Sequence, residues 1–304
     1  MLHSLVEDSP MRILITGASG LVGTALSTYL HDCGHTPVPL SRARDDHQPW
    51  WDISSGDIYW GENPEFDAVI HLAGENIASG RWNKRRKERI RMSRVSGTTL
   101  LAQSLAEKKH KPDVFISASA VGFYGDRGDE KLNEQSEAGS GFLSQVCQEW
   151  EQSCAPALAA GIRTVNIRLG MVLSPNGGAL QQMLPPFRLG LGGPLGSGCQ
   201  FLSWIDIDDL CRAVGHILQE SSLDGPVNMV SPEPVRNKEF ATTLGRVLKR
   251  PAVLPVPAPA LRLLLGEMAD ALLLASTRAV PQKLLESGFN FIHPDLYGAL
   301  KQNI

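Results

Sequence analysis

The run Thr16-Gly17-Ala18-Ser19-Gly20-Leu21-Val22-Gly23 limits this chain's folding choices more than any other: it is a G-x-x-G-x-x-G turn between two differently patterned segments. Before it, Arg12–Thr16 reads R-I-L-I-T, a short apolar, β-branched run of the kind buried in a parallel sheet. After it, residues 21–33 place Leu21, Val22, Ala25, Leu26, Tyr29 and Leu30 at helical spacing, and Gly34 supplies a stop. Strand, glycine turn and helix in that order make an anion cradle. One glycine permits the tight turn, one lets backbone approach a pyrophosphate, and one lets helix and strand pack closely. The helix N-terminus adds free N–H groups and the positive end of its dipole. A glycine triplet alone would be compatible with an ordinary βα turn, so the pattern further along the chain matters.

That pattern repeats the motif. Residues 36–40, 67–72, 113–117 and 164–169 read as strands, and helical stretches at about 83–109 and 142–160 separate the later ones. Alternating βα units predict an α/β Rossmann fold, a doubly wound parallel sheet with helices on both faces. Beyond Gly170 the texture changes, with S-P-N-G-G at 174–178 and L-G-L-G-G-P-L-G-S-G at 189–198, and the chain returns to the sheet near 225–230. Residues 251–259 look extended, and 261–274 read as an apolar helix packed on a second lobe, too short to cross a bilayer. With 304 residues there is room for both lobes. We therefore expect an N-terminal extension at 1–10 that contributes nothing to the fold. The Rossmann domain covers 11–170 and about 202–230, and a smaller C-terminal substrate lobe covers about 171–201 and 231–304.

The cofactor type is read from the end of the second strand, Leu40-Ser41-Arg42. An acidic residue there accepts from the ribose hydroxyls of NAD, whereas arginine accommodates the 2′-phosphate of NADP. Arg42 offers a fork of donors and Ser41 a hydroxyl, which favours NADP, although Asp45 and Asp46 lie close by.

Three strings, the glycine turn, His71-Leu72-Ala73-Gly74 and Ser117-Ala118-Ser119-Ala120 leading to Tyr124-Gly125, resemble the extended short-chain dehydrogenase/reductases. A closer likeness is to their atypical branch, the NAD-dependent epimerase/dehydratase-like family that ends in a DUF1731-type module. It is carried by L-A-G-E-N-I at 72–77, R-W-N at 81–83, P-P-F-R-L-G-L-G-G-P-L-G-S-G at 185–198, W-I-D-I-D-D-L at 204–210 and N-M-V-S-P-E-P-V-R-N at 228–237. The resemblance covers nearly all of 11–304. It implies that Gly17, Ala18, Ser19, Gly20, Leu21, Val22 and Gly23 hold the pyrophosphate and that Leu72, Ala73 and Gly74 line the adenine and ribose side. Arg94, three residues before Gly97-Thr98 where the family has asparagine, is expected to reach a cofactor phosphate or ribose. Val172, after Arg168-Leu169-Gly170, is expected beside the nicotinamide.

The catalytic signature departs from the family. The family's tyrosine and lysine, four apart on one helix face, fall on Leu143 and Cys147 when the helix is anchored on Glu151, and its serine or threonine falls on Ala120. Leucine has no proton to give and a thiol supplies no fixed positive charge. Ser119 and Tyr124 follow a strand whose end faces the cleft, so they are the candidates for orienting or protonating a substrate, with water as the alternative donor. The function expected is that of an NADP(H)-binding, epimerase-like oxidoreductase acting on a small polar molecule, a sugar nucleotide being one class. The rival is a catalytically silent NADP-binding sensor or scaffold.

Other features read as structural. Between Arg81 and Arg94 eight of fourteen residues are Lys or Arg, but only Trp82 accompanies them, so a solvated helix face is favoured over a nucleic-acid patch. Cys147 and Cys154 share a helix face as buried thiols rather than a redox pair, and His71 reads as a core histidine. Asp206, Asp208 and Asp209 read as helix-capping residues, and no metal is expected. Tyr297 and Lys301 have the family spacing but lie outside the order of Rossmann elements. Five cysteines without a C-x-x-C pair, a net charge of −3 and no apolar run long enough to span a bilayer point to a cytoplasmic protein. Its partner would be a small molecule, with no nucleic acid or membrane, and the chain would be a monomer or homodimer.

Overall fold

The structure, a computed structural model, describes residues 9–304. Most of the expected extension, residues 1–8, lies outside the described residues. The first strand, β1 (Arg12–Thr16), leads through the glycine turn into helix α1 (Leu21–Asp32), followed by β2 (Thr36–Leu40). A short antiparallel pair comes next, β3 (Trp50–Asp52) with β4 (Asp57–Tyr59). Then follow β5 (Ala68–His71), α2 (Lys84–Glu107), β6 (Val114–Ala120), a 3₁₀ turn at Val121–Tyr124, and β7 (Lys131–Leu132). The middle of the chain supplies α3 (Phe142–Gln152), α4 (Ala155–Ala159), β8 (Arg163–Leu169), β9 (Met171–Leu173) and α5 (Gly178–Arg188). The remainder holds β10 (Phe201–Leu202), β11 (Trp204–Asp206), α6 (Ile207–Gln219), β12 (Gly225–Met229), β13 (Val235–Arg236) and α7 (Asn237–Leu248). It ends with α8 (Ala258–Leu265), a π-type turn at Ala269–Leu274, β14 (Arg278–Ala279), α9 (Gln282–Glu286) and α10 (Leu296–Gln302).

Six strands form the main sheet in the order β12-β8-β6-β5-β1-β2, and every pairing in it is parallel. Period-two alternation divides its side chains between two covers. Ile13, Ile15, Ile70, Ile116, Val165 and Ile167 pack with Leu26 and Leu30 of α1 and Leu210, Val214 and Ile217 of α6. Leu14, Val69 and Phe115 face the other way, onto Trp51 and onto Leu101 and Leu105 of α2. Arg163 stops α6, its guanidinium donating to the carbonyls of Ile217, Leu218, Glu220 and Leu223 at 2.8–3.4 Å. Those of Ile217 and Leu218 are in the last turn of α6, where a helix end leaves carbonyls without partners.

Two expected helices are divided. The stretch 142–160 breaks at Ser153–Cys154, because Pro156 has no N–H to continue the ladder. The apolar stretch 261–274 breaks at Gly266, whose φ of 63° ends α8. Leu261, Met268 and Ala269 are buried while Leu263 and Leu264 stand in solvent, so the expected single helix is corrected to two short segments that are buried only in part.

Candidate functional site

Because the sheet is parallel, β1, β2, β5, β6 and β8 all end on one edge, and the segments singled out in the sequence meet there. Gly17 has a φ of 69°, and a Cβ on it would lie 2.9 Å from Ala73 N and from Leu72 C. The glycine turn therefore sits against the Leu72–Ala73–Gly74 turn. Gly23 lies closer still, since its Cβ would come within 2.2 Å of Gly17 O. No side chain caps the start of α1 at Gly20, so the first N–H groups, on Leu21, Val22 and Gly23, lack the usual acceptor. A tight turn with no Cβ at Gly17, Gly20 or Gly23, ending in uncapped N–H donors, fits a pyrophosphate.

Thr16 joins the two turns. Its Oγ1 accepts from Leu72 N and Ala73 N, both at 3.1 Å, and lies 2.7 Å from His71 Nδ1. With both acceptor positions filled, its own proton goes to His71 Nδ1, leaving the ring's hydrogen on Nε2. His71 is buried, and burial holds its pKa down at about 3, so it stays neutral. Its Nε2 has no hydrogen-bond partner among the described residues, and the ring meets Trp51 edge-on at 5.7 Å.

Arg42 stands exposed beyond β2, and Ser41 is partly buried, its backbone bonded to Pro49 and Trp51 and its Oγ accepting from Ala43 N at 3.0 Å. The β3–β4 hairpin beside it was not foreseen, because three-residue strands carry too little periodicity to see. Arg94 reaches from α2 to the β5 turn, where a Cβ on Gly74 would lie 3.4 Å from its Cζ. Its Nη1 donates to Glu75 O and Ile90 O, both at 3.1 Å, and its guanidinium lies over Trp150 at 5.0 Å. Burial lowers its pKa, opposed by Cys147 and Glu75. Val172 is in β9, paired with Ile205 of β11. The end of the following loop and the start of α5 lean on the start of α1, with Leu21 Cδ1 3.4 Å from the Cβ position of Gly177 and Leu21 Cδ2 3.0 Å from that of Gly178.

Ser119 and Tyr124 are brought together through a buried network that sequence reading missed. Arg168 Nε and Nη2 donate to the two oxygens of Glu151 at 2.8 and 2.9 Å, and the pair is 4% and 13% exposed. Ser119 Oγ donates to Glu151 Oε1 at 2.7 Å. Tyr124 Oη accepts from Arg168 Nη1 at 3.0 Å and lies 2.8 Å from Asn228 Oδ1 and 2.9 Å from Asn133 O, to one of which its single proton goes. Glu134 extends the network, its Oε1 accepting from Asn228 N at 3.1 Å and Lys283 N at 3.3 Å. Burial pulls the Arg168 guanidinium down, but its bonds to Glu151 and Tyr124 outweigh this and hold its pKa above the usual value. Burial raises Tyr124 and Glu134. The signal available in sequence was Arg168 itself, a charge set between Ile167 and Leu169 near the end of a strand of the central sheet, which needs a buried partner.

Both hydroxyls are thus committed inside the chain, Ser119 at 1% exposure and Tyr124 at 0%. The neighbouring thiol offers no substitute. Cys147 is buried, and burial with Glu151 nearby pushes its pKa up to about 12. Cys154 is likewise free, buried and raised to about 12. Leu143 and Cys147 both lie against Gly122 of the 3₁₀ turn. Asp206 caps α6 through Asp208 N at 2.8 Å, and its other oxygen accepts from Asn303 at 2.6 Å. Asp209 is buried and accepts from Ile292 N and His293 N, tying the C-terminal segment to α6. Tyr297, far from these groups in sequence, lies under Arg246 at 4.3 Å.

The family description "NAD dependent epimerase/dehydratase family" matches residues 13–229. The chain belongs to this family. A second description, "Domain of unknown function (DUF1731)", matches residues 256–302. Among relatives, "Epimerase family protein Mb2239" of Mycobacterium bovis is 41% identical over 290 residues, 95% of this chain and 96% of that one. Human "Epimerase family protein SDR39U1" is 36% identical over 295 residues, 96% and 99% of the two chains. A crystal structure of the human protein, isoform 2, with NADPH superposes with a TM-score of 0.88 at 35% identity, covering 96% of this chain and 98% of that one. A nucleoside-diphosphate sugar epimerase from Corynebacterium glutamicum gives 0.77 at 38% identity, covering 97% of this chain but 58% of that one.

Proposed function

We propose that this chain binds NADP(H) across the strand ends and transfers hydride between the cofactor and a small polar molecule, a sugar nucleotide being one candidate class. The substrate would lie between the Rossmann part and the lobe formed by residues 171–201 and 231–304. The observation carrying this reading is the uncapped start of α1, behind a turn too tight for a Cβ at Gly17 or Gly23. Arg42 stands at the end of β2, where a 2′-phosphate would lie. The NADPH named with the human relative supports the same assignment. The bound nicotinamide would supply or accept the hydride. The chain's own part is to hold phosphate on the N–H groups of residues 21–23, meet the 2′-phosphate with Ser41 and Arg42, and line the remainder with residues 72–74, Arg94 and Val172.

Protonation follows a different course from the family's. Ser119 and Tyr124, in this reading, hold the end of β6 in place through Glu151 and Arg168, and water delivers the proton. A second reading, a silent NADP-occupied sensor, is favoured by one observation: Leu143, Cys147 and Ala120 leave no exposed acid at the three usual positions.

Calorimetry should find NADPH bound more tightly than NADH, and Arg42→Ala should cost NADPH more than about tenfold, the worth of a charge-assisted contact of about 1.5–3 kcal/mol. Equal affinities would remove the NADP assignment. Turnover of any sugar nucleotide or small carbonyl compound would exclude the sensor. With such a substrate, Tyr124→Phe and Ser119→Ala should lower the melting temperature while reducing kcat less than tenfold. Losses of about 10²–10⁴-fold in a stable variant would make them acid–base groups after all.

A further inference from the structure

Two segments run side by side in the C-terminal half: the loop after α5, residues 189–196, and the extended stretch 251–256. Leu254 N donates to Gly192 O at 3.3 Å, Val256 N to Pro194 O at 2.9 Å, and Gly196 N to Val256 O at 2.9 Å. Glycine permits the approach, since a Cβ on Gly193 would lie 2.1 Å from Leu254 O. On the surface these segments share, Leu189 is 74% exposed, Leu191 57%, Val253 74% and Leu254 48%. The next element, α8, adds Leu263 at 76% and Leu264 at 66%. Six of the twelve exposed large apolar side chains among the described residues fall within 189–191 and 253–264. Single exposed leucines are ordinary, whereas a group of them marks a contact surface.

The accompanying charge has one sign. Residues 185–198 and 244–266 hold Arg188, Arg246, Lys249, Arg250 and Arg262 and no Asp or Glu, in a chain whose net charge is −3. Arg262 pairs with Asp270 at 2.9 Å and Arg246 lies over Tyr297. Arg188, Lys249 and Arg250 have no carboxylate partner among the described residues. Helix ends account for where two of these cations sit: Lys249, at a φ of 54°, closes α7, and Arg250 Nε donates to Arg188 O at 3.1 Å, at the end of α5. Helix ends do not account for the leucines. The exposed apolar groups are aliphatic, without the aromatic anchors typical of specific protein interfaces.

We propose that this face docks reversibly on an anionic lipid bilayer, with Leu189, Leu191, Val253 and Leu254 entering the headgroup boundary and Arg188, Lys249 and Arg250 meeting lipid phosphates. No described helix is long and apolar enough to cross a membrane, so the contact is peripheral. Summed charge hides these segments because no acidic residue falls within 185–198 or 244–266.

The test is co-sedimentation of the full chain with vesicles of phosphatidylcholine alone or mixed with phosphatidylglycerol. Pelleting with the mixed vesicles, weakened by high salt, is expected. Leu189→Ser with Val253→Ser, and separately Arg188→Gln with Lys249→Asn, should each lower partitioning on the order of tenfold. Circular dichroism and melting temperature check that these exposed substitutions leave the fold intact. Failure to pellet with the mixed vesicles, or pelleting insensitive to both double variants, overturns the proposal. So does self-association in sedimentation velocity that Leu189→Ser with Val253→Ser removes while vesicles bind nothing, because the face then joins two copies. NADPH affinity is measured on the same samples, so this outcome is separable from the cofactor reading.

Discussion

Glu151→Ala should lower the unfolding free energy by about 3–5 kcal/mol in chemical denaturation, because it leaves the Arg168 guanidinium buried without its counter-ion. The pair is bidentate and nearly closed to solvent, and Ser119 and Tyr124 bond to the same two groups. An exposed ion pair of the same geometry would be worth about 1 kcal/mol or less. Burial therefore decides the size of the effect. Replacing both partners, Glu151→Met with Arg168→Met, should recover much of the loss, since the charge that burial penalises is then gone. A loss below about 1 kcal/mol for Glu151→Ala would mean that water reaches the pair and that the network does not hold the strand end.

Gly23→Ala should reduce NADPH affinity on the order of a hundredfold or more, a loss of about 2.7 kcal/mol, while the sheet remains folded. The added Cβ would stand 2.2 Å from Gly17 O and 2.7 Å from Ala18 Cα, and both are backbone atoms that no side-chain rotation can move aside. Relief requires α1 to back away from the glycine turn. That displaces the N–H groups of residues 21–23 from the phosphate position. The substitution removes no hydrogen bond and no charge, so an effect on cofactor binding reports geometry alone. Unchanged affinity by calorimetry would show that the phosphate is held elsewhere.

The Rossmann sheet was legible because its signals are local. Arg12–Thr16, the glycine turn and the helix after it stand in one stretch, and the buried parallel strands read as apolar runs. The glycines that close the turn, the serine and arginine after β2 and the Leu72–Gly74 turn could be placed on one edge from element order, because parallel strands all end on the same side. Local signals also misled. Pro156 and Gly266 divide stretches whose apolar spacing suggested continuous helices, and periodicity averages over a single breaking residue.

By itself, the sequence determined the α/β architecture and the strand-turn-helix cradle, and it carried the expectation that Leu143 and Cys147 stand where the family has tyrosine and lysine. These depend on residue type and spacing along the chain. Only the tertiary structure decided what Ser119 and Tyr124 do, because their partners are distant: Glu151 is 32 residues from Ser119, Arg168 is 44 from Tyr124, and Asn228 is 104 from it. Side-chain hydrogen bonds over such separations leave no periodic trace. A hydroxyl's chemistry is set by whether water or a buried charge reaches it, which only the packed structure reveals.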